Sequence, residues 1–234
     1  MSNAKTDAAM KTSPREVLFF ELEFVATTGR DALFNAVKKA LAAQGVEVTP
    51  VSFSRAGTAL RLEQLIAALL AGAGKTNVPV EEICAQVAAD QKKFFEESAQ
   101  LNKSLPALIS EAKARNIEAV AVSPYTKEIA GALMTRLGLD TLGVSLEAFN
   151  NTDPLFPRAD HWLRMLKTRN QDTLPLISIV SSQIACKGAL TAGATCVAVP
   201  DAYTGFEDFS GAMIVLETLG GMPAKEIIGM VTRR

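Results

Sequence analysis

The chain is short of the residues that most catalytic and nucleic-acid-binding surfaces lean on. It has one histidine, His161, one tryptophan, Trp162, and two tyrosines among 234 residues. So few rings leave little surface on which bases could stack. An excess of charge is missing too, since 24 basic against 25 acidic residues give a formal net charge of −1. Without a basic excess a polyanionic backbone is not attracted, and nucleic acid is not an expected partner. The three cysteines, Cys84, Cys186 and Cys196, are odd in number and widely spaced, and no CxxC pair occurs. Apolar neighbours around each favour buried free thiols, and a single histidine leaves zinc short of ligands. Long apolar runs are absent: strings such as residues 17–20 and 196–199 are far too short to span a bilayer. Residues 1–11 are polar and alanine-rich, with no apolar stretch before a cleavage site. The expectation is a soluble, cytoplasmic chain with no membrane partner.

What is present is an ordinary globular mix, 48% apolar and 21% charged. Residues 1–14 lack periodicity and end in Ser13-Pro14, so they read as a loose tail. Val17-Leu18-Phe19-Phe20 follows, an apolar burst of the length of a buried parallel strand. From residue 30 to about 103 the pattern is helical. Leu33, Phe34, Val37 and Leu41 form one stripe, and Leu62, Leu65, Ile66, Leu69 and Leu70 form a second. A third long helix is expected over residues 80–102, and residues 48–53 are the best strand candidate in this block. After Pro106, helices and strands alternate. Strands are expected at 117–122, 142–146, 176–180 and 196–199, and the segments 212–219 and 223–231 read as helices. Such alternation predicts a parallel sheet with helices on both faces. The sheet begins at Val17, is interrupted by a helical insert, and resumes after Pro106. An insert after the first strand lies over the crevice at the carboxyl ends of the strands, where open α/β sheets bind ligands.

The strand ends carry the candidate chemistry. Glu21 and Glu23 close the first strand, and in an extended chain residues two apart face the same side. Two carboxylates there can hold a divalent cation or divide the roles of nucleophile and acid. The second sheet strand ends in Ser123, whose hydroxyl suits an oxyanion. The strand at 176–180 delivers Ser181, Ser182 and Gln183 but no carboxylate.

With these strings in place, the chain resembles the haloacid dehalogenase-like hydrolases. The nearest branch has a helical cap after the first strand and includes phosphoglycolate phosphatases and β-phosphoglucomutases. The resemblance covers roughly residues 15–234. That family's first motif, an apolar strand and Asp-x-Asp, is matched by Phe19-Phe20-Glu21-Leu22-Glu23. By resemblance Glu21 takes the attacking role and Glu23 that of general acid and base. The second motif is matched by Ala119-Val120-Ala121-Val122-Ser123, which gives Ser123 the phosphoryl oxygens. The third motif normally supplies a lysine. Its frame, Phe156-Pro157-Arg158-Ala159-Asp160-His161-Trp162-Leu163, has Phe156 there instead. The fourth motif normally brings one or two acids, where Val180-Ser181-Ser182 stands. The implied fold is α/β: a Rossmann-like, three-layer core of a haloacid-dehalogenase type, residues 15–29 and 104–234, with an all-helical cap, residues 30–103.

The departures bear on turnover, because phosphoryl transfer rests on positioning and charge. Glu21 in place of aspartate moves the attacking oxygen one methylene outward. A magnesium ion, the cofactor that the enzyme reading implies, would be held by Glu21 and Glu23 without a fourth-motif acid. Phe156 cannot act as a cation. Two functional readings stand. One is a divergent binding or regulatory protein without conventional magnesium-dependent phosphatase activity and with no cofactor. The other is a hydrolase of phosphatase or phosphomutase type acting on a small phosphorylated metabolite. The ligand expected in either case is a small phosphorylated metabolite or anion, and the chain is expected to be a monomer or homodimer. Weaker site candidates are Arg158 and Lys187 in the core and Arg55 in the cap as a substrate contact. His161 and Trp162 are expected to serve packing, and Glu207 or Asp208 is a candidate replacement for the missing acid.

Overall fold

The uninterrupted apolar run after Glu16 lies at the centre of the sheet, where both faces are covered and every position is wanted apolar. In this computed structural model, residues 16–57, 61–75, 77–150, 156–169 and 175–232 are described. The expected tail, residues 1–14, lies outside the described residues. Strands β1 (Glu16–Glu21), β2 (Ile117–Ser123), β3 (Ser145–Ala148), β4 (Leu176–Val180), β5 (Thr195–Ala198) and β6 (Ile214–Val215) pair in the order β3-β2-β1-β4-β5-β6. All neighbouring pairs are parallel. The strand order reverses at β1, so β1 is flanked by β2 and β4, and its carboxyl end faces the crevice.

Side chains of β1 alternate between two apolar layers. Leu18 and Phe20 pack with α5 (Leu105–Ala114), α6 (Lys127–Arg136) and α9 (Ala224–Val231). Val17 and Phe19 pack on the opposite face with α7 (Ala159–Thr168) and α8 (Gln183–Thr191). There Trp162 is fully buried against Phe19, ring centroids 6.0 Å apart. Burying one such side chain contributes about 1.5–3 kcal/mol, so the two layers hold the strand ends rigidly in register.

Four helices are inserted between β1 and α5: α1 (Gly29–Ala42), α2 (Pro50–Gly57), α3 (Leu62–Gly72) and α4 (Val80–Lys93). They enclose their own apolar cluster, which one core residue, Tyr203, also enters. Tyr203 meets Phe34 at 5.1 Å and Phe53 at 5.2 Å between ring centroids, joining the cap to the loop after β5. The two connecting segments are tied as well. Asn102 donates its backbone N–H to Ala26 O at 2.8 Å and its side-chain amide to Val25 O at 3.2 Å.

Three sequence expectations about elements are corrected. Residues 48–53 form no strand, because Thr49 and Ser52 exchange backbone and side-chain hydrogen bonds and start α2 at Pro50. The long helix over 80–102 ends earlier. A π turn at Phe94–Ser98 unwinds it, and Ala99 leads the chain back to the core. Residues 212–219 hold the short edge strand β6 rather than a helix, fixed by Met213 N–H to Cys196 O at 2.8 Å and Leu216 N–H to Ala198 O at 2.9 Å. All three cysteines are buried and free, with the Cys186 and Cys196 sulfurs 3.5 Å apart. Among the described residues, no helix is long and apolar enough to cross a membrane.

Candidate functional site

Glu21 is the last residue of β1, and the chain turns immediately after it, with Val25 N–H and Ala26 N–H both donating to Glu21 O. The turn undoes the expected same-side arrangement and sends the two carboxylates toward different neighbouring strands. Glu21 reaches the end of β4, where Oε2 accepts from Ser181 N–H at 2.5 Å and from Ser181 Oγ–H at 2.7 Å. Glu23 reaches the end of β2, where Oε1 accepts from Ser123 Oγ–H at 2.5 Å. Ser123 Oγ in turn accepts from Tyr125 N–H at 3.1 Å. The structure therefore brings Glu21, Glu23 and Ser123 to one buried end of the central strands.

The two acids have different surroundings. Burial pushes the Glu21 carboxyl above its ordinary range, while the Arg30 guanidinium and the Ser181 donors pull it down. Burial raises Glu23 to about 8, opposed chiefly by the single hydroxyl of Ser123. Glu23 thus holds a proton at neutral pH, and its Oε2 has no hydrogen-bond partner among the described residues. The Tyr125 hydroxyl meets Gln91 of α4 and is pushed upward by burial and by Glu23, so the cap closes over this corner.

Two residues that the sequence reading passed over complete the other corner. Arg30, 2% exposed, donates through Nη1 to Asp201 Oδ2 and through Nη2 to Ser181 Oγ at 3.1 Å. Its guanidinium lies over the Phe24 ring, 4.2 Å from the centroid. Asp201 Oδ1 accepts from Tyr203 N–H at 2.9 Å and from Thr204 Oγ–H at 3.2 Å. Gly29 makes this approach possible, because a Cβ there would stand 2.3 Å from Glu23 O. Sequence held one usable signal for Arg30. A cation in the first turn of a helix opposes the macrodipole, so it calls for a carboxylate partner. Asp201, behind Pro200 at the end of an apolar strand, had the same strand-end position as Ser123.

The remaining candidates separate clearly. Glu207 turns inward: its Oε2 accepts from Gln183 N–H at 2.6 Å at the start of α8, within the fields of Arg30 and Asp201. Asp208 turns outward and pairs with Lys187 at 3.0 Å, which also binds Ser210. Lys187 is thereby held at the surface. Arg158 sits at the start of α7, half-exposed and 3.6 Å from Asp160. Arg55 lines a cavity of about 340 Å³ at the seam between α2 and the loop carrying Phe206. Phe156 packs at a tilt against Phe149 at 5.2 Å and edge-on against His161 at 4.8 Å between ring centroids, a ring cluster at the position where the family carries a lysine. His161 is buried and accepts Arg158 N–H at 3.1 Å through Nδ1, so it serves local structure.

The residues present do not fit a magnesium ion. Glu21 Oε2 already takes two hydrogen bonds, and both Asp201 oxygens are engaged by Arg30, Tyr203 and Thr204. Among the described residues, no group of three or more His, Cys, Asp or Glu side chains could hold a metal ion. Glu21 and Glu23 serve separate partners and do not form a shared ligand pair.

No protein-family model matches the chain, nor does any curated protein sequence. Solved structures do. CbbY from Rhodobacter sphaeroides in complex with phosphate is 19% identical, with a TM-score of 0.71 over 90% of this chain and 99% of that one. A mutant of the same protein, in complex with xylulose-1,5-bisphosphate, gives 20% identity and a TM-score of 0.71 over 89% and 98%. A haloacid dehalogenase-like hydrolase family protein from Streptococcus pneumoniae reaches a TM-score of 0.72 at 16% identity, over 92% and 97%. β-Phosphoglucomutase from Clostridium difficile reaches 0.69 at 14% identity, over 92% and 96%. With a parallel sheet between helical layers and helices α1–α4 inserted behind the first strand, the chain has the fold of the haloacid dehalogenase-like hydrolases, in the phosphoglycolate phosphatase and β-phosphoglucomutase form.

Proposed function

We propose that this chain is a hydrolase of haloacid-dehalogenase type that acts on a small phosphorylated metabolite. The observation that carries the reading is the unequal pair at the end of β1. Glu21 accepts two hydrogen bonds from Ser181, whose hydroxyl is bound by Arg30, whereas Glu23 meets the hydroxyl of Ser123 and keeps a proton at neutral pH; burial raises both acids. Two acids with such different partners can divide the roles of nucleophile and acid. In the proposed reaction a Glu21 oxygen bonds to phosphorus as the phosphorus–oxygen bond to the alcohol breaks. Glu23 passes its proton to the departing oxygen. A water then attacks the phosphorylated Glu21, giving a proton to the Glu23 carboxylate, and phosphate leaves with Glu21 restored. Ser123 would turn its hydroxyl from Glu23 to a phosphoryl oxygen, and α1–α4 would act as the cap that keeps bulk water out. Relatives of this fold crystallised with phosphate and with xylulose-1,5-bisphosphate support the choice of ligand class.

A second reading, binding without turnover, has its own support. Glutamate is longer than aspartate, and a misplacement near 1 Å costs on the order of 10²-fold in rate. Beside the Arg30–Asp201 pair lies a cavity of about 470 Å³, lined also by Thr27 and Lys103. Arg30 Nε and Thr27 Oγ1, on two residues that line it, are buried without a hydrogen-bond partner among the described residues. A panel of phosphomonoesters decides between the readings. Phosphate release by the wild type that is lost in both Glu21→Gln and Glu23→Gln supports the hydrolase. Saturable ligand-induced stabilisation with no release in the wild type supports binding alone.

A further inference from the structure

We infer that Arg30 is the resident cation of this site, standing in for the divalent metal that a phosphoryl-transfer centre of this fold would use, so that the chain takes up no magnesium there. The first support is geometric. One guanidinium bridges the ends of two strands, bonding Asp201 beyond β5 and Ser181 beyond β4, and Ser181 passes the contact on to Glu21. The planar fork of arginine suits this double engagement, which the compact ammonium of lysine could not reproduce.

The second support is the position of Arg30 in the chain. It lies in the first turn of α1, where the macrodipole disfavours a cation, and it is almost wholly buried. Removing a charge from water at such a place is costly unless opposite charge faces it. Asp201 supplies that charge directly, and the field of Arg30 opposes the burial that raises Glu21 and Glu207 beside it. The helix has accommodated the arginine through Gly29, whose missing side chain lets α1 lie on the Glu23 carbonyl.

The third support is the donor set. Magnesium demands near-octahedral oxygen ligation at short distance. To bind here it would have to strip Arg30 from Asp201 and Ser181 from Glu21, then sit against the displaced guanidinium. Like charges so close repel strongly in a buried site.

The inference stands apart from turnover, because its test reads ion binding and stability. Magnesium in millimolar excess, or EDTA, is added to the wild type while melting is followed, and magnesium binding is measured by calorimetry. The wild type is expected to show no heat of binding and no change in melting temperature with either. Arg30→Met is expected to melt about 10 °C lower, since it strands a buried anion. The double variant Arg30→Met/Asp201→Asn is expected to recover most of that loss. A saturable magnesium stabilisation of the wild type that Glu21→Gln or Asp201→Asn abolishes would overturn the inference. So would an Arg30→Met protein that melts like the wild type. Should Arg30→Met fail to fold, the wild-type magnesium titration decides alone.

Discussion

Two corners of one buried site differ more than their composition suggests. On the β4 side, Glu21 sits in a chain of contacts running through Ser181 and Arg30 to Asp201, in which negative charge meets a guanidinium. On the β2 side, Glu23 meets one hydroxyl, that of Ser123, near the core residue Tyr125, which is bonded to Gln91 of the cap. Both acids are buried, and burial alone would push both toward the neutral form. What separates them is the partner set, and the partner set follows from the tight turn after Glu21. The lesson is that two glutamates two residues apart can take wholly different partners when the strand ends between them.

The largest test of this contrast acts on the ion-paired corner. Asp201→Asn removes the anion facing Arg30 and should cost about 3–5 kcal/mol, read by denaturant unfolding, because it leaves a buried guanidinium short of charge. The corresponding change at the other corner, Glu23→Gln, is expected to have little effect at pH 5 and a large one at pH 8. The folded chain keeps the Glu23 proton up to about pH 8, whereas the unfolded chain releases it above its ordinary value of 4.5. Across that window the folded state binds more protons, so wild-type stability falls as pH rises, by at most about 1.4 kcal/mol per pH unit from this group. Glu21 and Glu207 are raised as well and act in the same direction. Glu23→Gln should flatten the profile, and a pH series of melts with an unchanged slope would erase the distinction between the corners. Ser123→Ala deletes the side-chain donor that chiefly holds Glu23 down. It should cost about 1 kcal/mol and move the Glu23 titration further up, checked by carboxyl NMR. The smallest effect is expected from Tyr203→Phe. It removes a hydroxyl bonded to Asp31 and keeps the ring contacts, with a loss of about 0.5–1 kcal/mol by thermal melts.

How much of this was legible in the sequence follows from range. The central strand could be read because four apolar residues in a row have few other uses, and Ser123 because it ends an apolar strand. The edge strand β6 could not, since Ile214–Val215 is two residues long and depends on β5 for its hydrogen bonds. Residues 48–53 misled because a β-branched stretch competes with the helix start that Thr49 and Pro50 provide. At the site, Glu21 and Glu23 were visible as residues, but not their separation, which is set by backbone bonds from Val25 and Ala26. Arg30 and Asp201 lie 171 positions apart, and pattern reading along the chain has no access to a pairing of that span. Phe156 stands against Phe149 and His161, and the buried guanidinium of the site, Arg30, lies on the first turn of a cap helix.

Tyr203 adds one further consequence. Its ring is wedged between Phe34 and Phe53 of the cap, and its backbone N–H is held by the Asp201 carboxylate. A ligand that spreads the cap therefore pulls on the same three-residue turn that neutralises Arg30. Admission to the crevice and the electrical balance inside it are mechanically one event, and a guest that brings its own negative charge restores the balance it disturbs.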